Sequence, residues 1–360
     1  MGVLVGHVYL LSRGVGPTYV EHVLVGGGYG VYLFFALSGY LLFWPFARRD
    51  YGDGDSIDLR RYALNRALRI LPLYYFVLVF LLLVQEGGGT LEQWLSFATF
   101  SENFSTSTFA TVDGVMWSLV IELHFYALLP LLALGIARLA RGSLRRAAVV
   151  LGVLAAASLA LRVSTLYLDS QPNLYLRYSI MSLFFFFASG MLLALLRIAW
   201  REGPPSWLRG LLGSSSAWCW AAVALMLTLF AIDDEWAEFL AAPASFLVVG
   251  ASVLPLRHGW AVRALEWRWL AAIGVVSYSL YLWHLPILEW IGEGRDTPMS
   301  FVALLLIGGG LALCAAFVSY HVAEAPFLRR RKRWARSTPQ SVEPGAPVRA
   351  SFRPPPPEGS

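Results

Sequence analysis

Three ionisable residues occur within stretches that are otherwise apolar: His7, Glu122 and His284. Glu122 lies within residues 116–137, which read MWSLVIELHFYALLPLLALGIA and are long enough to cross a bilayer. A carboxylate at membrane depth costs roughly 2.5–3.5 kcal/mol on insertion scales, and such residues usually face a pathway or a site. An imidazole is suited to act as a general base, and a carboxylate can orient it. We therefore predict that the chemistry takes place where these three side chains meet.

The elements that position these residues are predicted to be membrane helices. The chain is 57% hydrophobic and only 14% charged, with a mean hydropathy of +0.59. These values are typical of a polytopic all-α membrane bundle and not of soluble domains. The hydropathy predicts ten spans, near residues 1–12, 27–46, 65–84, 116–136, 147–166, 178–198, 217–232, 236–254, 269–290 and 299–321. The first span is short, and we expect it to be truncated at its N-terminus.

The distribution of basic residues predicts the orientation of the bundle. All but four of the 28 Lys and Arg lie in alternate connections and in the tail, the exceptions being Arg13, Arg162, Arg177 and Arg295. By the positive-inside rule, both termini are cytoplasmic. The net charge of +5 is then a topology signal and gives no reason to expect nucleic-acid binding. We predict one membrane domain over 1–330 and a basic, then Pro-rich, disordered cytoplasmic tail over 331–360.

This topology predicts that the three ionisable residues share one depth. His7, Glu122 and His284 lie about five or six residues from the outer ends of their spans, or roughly 7–10 Å below the outer surface. Arg66 and Arg69 lie at the opposite, cytoplasmic end of the third span, at i and i+3 on one helix face. Their guanidinium groups are suited to phosphate, although ordinary positive-inside anchoring also explains arginines there.

Four motifs occur in order along the chain. They are GVYLFFALSGYLL (30–42) followed by RYALNRALRILPLYY (61–75), then WSLVIELHFYALLP (117–130), SYSLYLWHLPI (277–287) and YHVAEAPF (320–327). Together they resemble the acyltransferase 3 family of integral membrane O-acyltransferases, over residues 1 to about 330. The resemblance implies that His7 is essential for transfer and that Arg66 and Arg69 lie near an acyl-CoA donor. It departs from the family at Tyr32, where many members have Asp.

The resemblance implies transfer of an acyl group, most simply acetyl, from cytoplasmic acyl-CoA to a hydroxyl group. The acceptor would be a glycan, a glycolipid or lipid-linked sugar, or a macrolide-like metabolite, bound by Trp117, Ser118 and His284. His7 would be the base or the nucleophile, with Glu122 holding its other nitrogen. No bound cofactor or metal is expected, and the two cysteines, Cys219 and Cys314, indicate no disulfide framework. The expected location is a bacterial plasma membrane, in contact with its lipid.

Alternatives remain open for each residue. His7 and His284 are also compatible with helix packing, and Glu122 with a structural hydrogen bond to a Ser or Trp of another helix. His124 is interpreted as packing, and Glu324 as a weak candidate that pairs with nearby arginines. For the whole protein, the alternative is a transporter or flippase in which intramembrane His and Glu form a proton relay.

Overall fold

The fold is described by a computed structural model that covers residues 1–12, 24–168, 173–231, 234–254, 256–257, 259–292 and 299–329. The predicted disordered tail, 331–360, lies outside these residues. Within the described ranges the chain is helical and forms no strand, which confirms the all-α prediction. The helices are α1 Gly2–Leu11, α2 Gly30–Tyr51, α3 Leu59–Val84, α4 Leu91–Ala98, α5 Met116–Ala140, α6 Leu144–Val163, α7 Leu174–Arg177, α8 Ile180–Ala199, α9 Arg209–Leu212, α10 Ser215–Ala231, α11 Asp234–Val253, α12 Trp260–Leu265, α13 Arg268–Val275, α14 Ser277–Gly292 and α15 Phe301–Ser319.

Six helical segments are long and apolar enough to cross a membrane, counted over the described part of the chain. They contain α2, α3, α5, α6, α8 and α15. A seventh candidate is the pair α13 and α14, which is bent by 71° at its junction and corresponds to the predicted span 269–290. Three shorter apolar helices, Gly2–Leu11, Ser215–Thr228 and Glu238–Val253, fall on the other predicted spans. The structure therefore supports six or seven spans, and the count of ten and the cytoplasmic termini stay predictions.

Glycine allows the two central helices α2 and α8 to touch backbone to backbone. A Cβ atom at Gly39 would lie 2.1 Å from the carbonyl oxygen of Phe187, and one at Gly190 would lie 1.8 Å from that of Ala36. Both distances are far below van der Waals contact, so any larger residue would push the helices apart. Close approach through small residues is a common way for membrane helices to pack, since lipid gives no hydrophobic force between them.

Aromatic rings fill the layer between these helices and α5. The ring of Phe187 stacks on those of Phe35, at 4.6 Å between centroids, and Phe125, at 4.2 Å. This layer fixes the face of α5 that carries Glu122. On the opposite side of the bundle, α1 packs against α14 and α15. That contact brings the first helix, with His7, beside the helix that carries His284.

The connection between α3 and α5 folds back along α3. Its short helix α4 begins with a capping box formed by Thr90 and Gln93. The hydroxyls of Tyr74 and Tyr75, in the middle of α3, donate to the carbonyl oxygens of Phe97 and Ala98, each at 2.9 Å. Residues 97–103 therefore lie beside the centre of α3 and not beyond its end. The hydropathy gave no indication of this.

Candidate active site

The side chains of His7 and His284 meet, as the shared-depth prediction expected. His7 Nδ1 lies 2.9 Å from His284 Nε2, and the ring centroids are 5.1 Å apart. His284 is buried, whereas His7 is only partly buried. The two residues are 277 positions apart in the chain, so their contact depends entirely on the packing of α1 against α14. It is the clearest polar contact between distant helices around the predicted site.

The hydrogen bonds of this pair determine where its protons lie. The second nitrogen of His284, Nδ1, lies 2.7 Å from the carbonyl oxygen of Tyr281. Because a carbonyl only accepts, His284 Nδ1 carries the proton, and Nε2 of the neutral ring is an acceptor. His7 Nδ1–H then donates to it. This leaves His7 Nε2 with a lone pair, which is the state that a general base requires.

A small cavity of about 170 Å³ adjoins His284, and we call it the histidine cavity. Ser118, Ser277, Tyr278, Tyr281 and His284 supply polar side chains to its wall, and Met1 and, from α1, Leu4 also line it. The hydroxyl of Ser118 lies 2.7 Å from that of Tyr281. His7 itself is not among the lining residues. The predicted acceptor residues Ser118 and His284 thus face one cavity.

Trp117 does not belong to the histidine cavity. Its ring packs edge-on against Phe35, at 6.4 Å, and against Tyr178, at 5.1 Å. Successive residues of a helix are about 100° apart around its axis, so Trp117 and Ser118 face different neighbours. The assignment of Trp117 to the acceptor therefore has no support from its position. His124 stacks on Phe104, which agrees with the prediction that it is a packing residue.

Glu122 does not hold His7, contrary to our expectation. Its Oε1 accepts hydrogen bonds from the hydroxyl of Ser38, at 2.7 Å, and from that of Tyr126 one helical turn further along α5. The position beside His7 Nδ1 is taken by His284 instead. The correction has a simple physical reason, because α2 packs against α5 and places Ser38 beside the carboxylate. Glu122 is buried, and the charges of Arg66 and Arg69 act on it.

Arg66 and Arg69 share a helix face, as predicted, but they have different partners. Arg69 forms an ion pair with Glu324, whose other oxygen accepts from Ser279 at 3.1 Å. The pairing of Glu324 with an arginine was predicted. A π-helical turn at Tyr320–Glu324 ends α15 and presents this carboxylate to α3. Because Glu324 is buried and charged, its pairing with Arg69 is a structural requirement.

Arg66 is the member of the pair that faces open space. It lines a cavity of about 520 Å³, the arginine cavity, at the junction of α2, the connection 52–58 and α3. Arg48 and Arg61 also line it, and Arg69 does not. The Nε atom of Arg66 is buried and has no hydrogen-bond partner among the described residues. The positive charges of Arg48, Arg61 and Arg66 suit this cavity to an anion.

Glu122 lies between the two cavities. Tyr62, in the wall of the arginine cavity, donates to the carbonyl oxygen of Tyr126 at 3.0 Å. That carbonyl is free because Pro130, four residues on, has no N–H to donate. Tyr126 bonds Glu122, and Ser118 of the histidine cavity lies one turn beyond. The cavities are thus separated by roughly 12 Å along α5, with Glu122 in the partition.

Tyr126 and Tyr281 are polar partners that sequence reasoning missed, whereas Ser38 confirms the alternative that Glu122 bonds a Ser of another helix. Tyr126 follows Glu122 by four residues, a spacing that places two side chains together on a helix, so a signal was present. Ser38 lies in the quoted motif GVYLFFALSGYLL, although nothing local indicates that it faces Glu122. Tyr281 contributes its carbonyl oxygen and its hydroxyl, and neither role has a sequence signature.

Metal chemistry finds no support in the described ranges. No group of three or more His, Cys, Asp or Glu side chains there could hold a metal ion. The two cysteines, Cys219 and Cys314, are both free thiols on different helices. What the arrangement offers is a hydrogen-bonded imidazole pair, a buried carboxylate and an arginine-lined cavity. That set is suited to proton transfer next to a bound anion.

Comparisons with known proteins identify the family of this chain. The model of the acyltransferase domain family matches residues 1–321. A Bacillus subtilis protein named "Putative peptidoglycan O-acetyltransferase YrhL" is 25% identical over 347 residues, covering 86% of this chain and 54% of its own length. The O-acetyltransferase OatA of Staphylococcus aureus is 25% identical over 334 residues, covering 85% of this chain and 53% of its own. The chain thus spans about half the length of the curated relatives it matches.

No solved structure matches this chain. The assignment to a family therefore depends on the sequence match, which runs through α1, with His7, and through α14, with His284. It covers far more than half of the 360 residues. The chain belongs to the acyltransferase 3 family of membrane proteins.

Proposed function

We propose that this protein is a membrane O-acyltransferase that moves an acetyl group from acetyl-CoA to a hydroxyl group of a carbohydrate. The observation that carries the proposal is the histidine pair. His284, held by the carbonyl of Tyr281, accepts from His7 and leaves His7 Nε2 free to take a proton. The family match and the names of the relatives support acetyl as the group transferred.

The chemistry proceeds from this arrangement. His7 Nε2 removes the proton from the acceptor hydroxyl as its oxygen attacks the thioester carbonyl. The carbon–sulfur bond then breaks, and the imidazolium of His7 returns the proton to the departing thiolate of CoA. His284 accepts a hydrogen bond from His7 Nδ1 throughout and stabilises the positive charge. Positioned base catalysis of this type contributes about 10²–10⁴-fold.

In this proposal Arg66 binds the donor, and Arg69 positions the neighbouring helix. Arg66 lines the arginine cavity, whereas Arg69 does not line it and is engaged by Glu324. The flexible pantetheine arm then passes the partition toward the histidine cavity. Glu122 lies in that partition. It therefore faces the path of the thioester and does not contact His7. CoA is a substrate here, and the proposal includes no resident cofactor.

The acceptor side is assigned to the histidine cavity. Ser118 and His284 line it, and their hydroxyl and imidazole groups can bind a sugar hydroxyl. We propose a glycan acceptor, as the name of the Bacillus subtilis relative describes for that protein. We also propose that the arginine cavity is cytoplasmic and that the membrane is the bacterial plasma membrane, since the arginine-rich connections lie at that end.

The transporter alternative requires a proton relay that includes both Glu122 and His284. Within the described residues, the hydrogen bonds of Glu122 lead to Ser38 and Tyr126, and those of His284 lead to His7 and Tyr281. The two sets do not join. This separation favours an enzyme over a relay.

Radiolabelled acetyl-CoA tests the proposal. Purified protein in lipid vesicles is given acetyl-CoA and soluble peptidoglycan fragments, and label in the glycan is measured. We expect transfer by the native protein and a loss of at least a hundredfold in the His7→Ala variant. The His124→Ala variant, which alters a packing histidine, serves as the control. Near-normal turnover by a folded His7→Ala protein would contradict the assignment of His7. Labelled acetyl-CoA left intact by the native protein would contradict the enzyme itself.

A further inference from the structure

Two connections, one from α8 to α10 and one from α11 to α13, are held side by side. The backbone N–H of Ser215 donates to the carbonyl oxygen of Arg257 at 3.0 Å, and that of Arg257 donates to the carbonyl oxygen of Gly213 at 2.9 Å. The short helices α9, α12 and α13 therefore belong to one surface of the bundle. We call it the tryptophan–arginine surface, defined by Trp207, Arg209, Arg257, Trp260, Arg263, Trp267, Arg268 and Trp269.

This surface lies at the end of the bundle that carries the arginine cavity. Arg201, in the connection from α8 to α10, pairs with Asp53 of the connection between α2 and α3 at 2.5 Å. Part of that second connection forms the wall of the arginine cavity. No residue of the tryptophan–arginine surface lines the cavity, so the two features are separate.

The four tryptophans of the surface are exposed. Trp207 is 80% exposed, and Trp260, Trp267 and Trp269 are each more than half exposed. A cluster of large exposed apolar side chains marks a surface that something else covers. An indole is most favourably placed at the level of the lipid headgroups, where its ring meets hydrocarbon and its N–H meets polar groups.

Helix α13 has the orientation of a segment that lies on a membrane. None of its residues is buried, although the stretch LAAIGV that follows Trp269 is apolar. It is bent by 71° from α14, which packs in the bundle against α1 and α15. Helix α13 therefore lies nearer the membrane plane than the membrane normal. An apolar helix in this position, with Arg and Trp at its start, is typical of an interfacial segment.

The charge of the surface is positive. Its four arginines are exposed, and none of them forms an ion pair within the described ranges. The same connections contain two acids, Glu202 and Glu266. The guanidinium carbon of Arg268 lies 5.0 Å from the centroid of the Trp269 ring. Unpaired guanidinium groups among exposed indoles are suited to a phosphate that lies at an apolar boundary.

We propose that the tryptophan–arginine surface binds the headgroups of anionic phospholipids. The guanidinium groups donate to the phosphodiester oxygens, and the indoles pack among the glycerol and upper acyl-chain carbons. A soluble acidic partner would satisfy the arginines but leave the indoles and α13 in water. A zwitterionic lipid would cover the indoles but bring a second cation to the arginines. Each arginine near an anionic membrane surface contributes about fivefold in affinity.

Helix α13 also joins this surface to the histidine cavity. Ile273 lines that cavity, and so does Ser277, just beyond the bend. A lipid bound at Arg268 and Trp269 therefore contacts the helix that supplies part of the cavity wall. The inference goes beyond the proposed function and does not depend on it.

Binding of two lipids to the purified protein in detergent micelles tests the proposal. Native mass spectrometry measures the affinities for phosphatidylglycerol, which is anionic, and phosphatidylcholine, which is zwitterionic. We expect the native protein to prefer phosphatidylglycerol by at least about a hundredfold at low ionic strength. In the triple variant Arg209→Gln, Arg263→Gln and Arg268→Gln, its affinity for phosphatidylglycerol should fall about a hundredfold.

The matched control removes three other exposed arginines, next to the junction of α5 and α6, as Arg138→Gln, Arg145→Gln and Arg146→Gln. This variant has the same net charge as the first and should keep the native preference. Thermal unfolding in the same detergent shows that both variants are folded. An equal loss in both would mean that the charge of the whole bundle attracts the lipid, and it would overturn the proposal. Equal affinity of the native protein for the two lipids would overturn it as well.

Tryptophan fluorescence locates the bound lipid without removing a charge. Phosphatidylglycerol brominated near the top of its acyl chains should quench the native protein more than phosphatidylcholine brominated at the same position. In the double variant Trp267→Phe and Trp269→Phe, this excess quenching should shrink. An undiminished excess would place the lipid elsewhere and contradict the proposal. Displacement of the lipid by sn-glycerol 3-phosphate would contradict it too, because the site would then bind a free phosphate. None of these measurements uses acetyl-CoA, so their failure would leave the proposed function standing.

Discussion

Glu122 and Glu102 are both buried glutamates, but their surroundings differ completely. Glu122, in the middle of α5, is 2% exposed and accepts from Ser38 and Tyr126. Glu102, in the connection between α3 and α5, is 0% exposed, and neither carboxyl oxygen has a partner among the described residues. Burial alone therefore does not say what a carboxyl group does. Its hydrogen-bond donors and nearby charges decide.

Two acids in the connection between α3 and α5, Glu102 and Asp113, are buried. Burial raises the pKa of Glu102 to about 8 and the pKa of Asp113 well above its usual range. Glu102 lies near Tyr74, at the centre of α3, where water is excluded. An uncharged carboxyl group tolerates that position, whereas a carboxylate without donors would not. Glu122, by contrast, accepts from the hydroxyls of Ser38 and Tyr126.

The largest effect is expected when the donors of Glu122 are left without an acceptor. In Glu122→Leu, the hydroxyls of Ser38 and Tyr126 remain buried and unpaired. Each such group costs about 1–3 kcal/mol, so the free energy of unfolding should fall by about 2–6 kcal/mol. Glu122→Gln retains an acceptor oxygen and should lose much less. Thermal unfolding in detergent micelles measures both.

The matched control removes the donors as well. The triple variant Glu122→Leu, Ser38→Ala and Tyr126→Phe leaves no unpaired group, because all three side chains become apolar. It should recover most of the stability that Glu122→Leu loses. A triple variant as unstable as the single one would show that Glu122 stabilises the bundle in another way.

Glu102 should make stability depend on pH. Its pKa in the folded protein is about 8, above the ordinary value of 4.5, so the folded state binds this proton more tightly than the unfolded state. The contribution of Glu102 to the free energy of unfolding is therefore greatest below about pH 4.5 and declines as the pH rises toward 8. Glu102→Gln is neutral at every pH and should weaken this decline.

The experiment compares unfolding midpoints at pH 5 and pH 8.5 for the native protein and two variants. Glu102→Gln should narrow the difference between the two midpoints, and the residual slope belongs partly to Asp113, which has the same sign. Glu86→Gln, at an exposed position of the same connection, should behave as the native protein. An undiminished pH slope in Glu102→Gln would contradict the raised pKa.

The helical class could be predicted from hydropathy, and the contact of His7 with His284 agrees with their predicted shared depth, but depth alone does not decide which helices touch. The pairing of Glu122 with His7 was wrong. Three helices that carry polar residues at a similar level need not all touch. The carboxylate of Glu122 accepts from Ser38 of α2 and not from His7. Hydropathy identifies a spanning helix, but it does not show which neighbouring helix packs against each of its faces.

Arg66, Arg69 and Glu102 show the same limit. The i, i+3 spacing correctly placed the arginines on one face, but the partner of Arg69 comes from a π-helical turn 255 residues away. Glu102 lies in the polar stretch SENFSTST, which predicts an exposed loop. Only the folding of this segment against α3, through Tyr74 and Tyr75, buries it.

His284 should affect catalysis through His7. In His284→Leu, His7 Nδ1–H loses its acceptor, and a hydrogen bond to a group that becomes charged contributes about 1.5–3 kcal/mol. The kcat for transfer should fall by about ten- to hundredfold, with KM for acetyl-CoA nearly unchanged. His284→Gln places an amide oxygen near the Nε2 position and should recover part of the rate. A purely structural role would not distinguish these variants in kcat once both are folded. Equal rates for Leu and Gln would contradict the pairing.

The smallest effect is expected at Ser118. This residue contacts neither Glu122 nor Glu102, and it lines the histidine cavity. Its hydroxyl lies 2.7 Å from that of Tyr281 and 3.1 Å from the carbonyl oxygen of Val115, so Ser118→Ala removes these neutral hydrogen bonds and a contact for the acceptor. Such a bond contributes about 0.5–1.5 kcal/mol, and KM for the glycan should rise by about two- to tenfold with kcat retained. Ser189→Ala, within α8 and in neither cavity, controls for loss of a buried serine hydroxyl.

If kcat fell as far as in His284→Leu, Ser118 would belong to the proton-transferring chain and not to the acceptor side. An unchanged KM would contradict the assignment of the acceptor to the part of the histidine cavity that Ser118 lines.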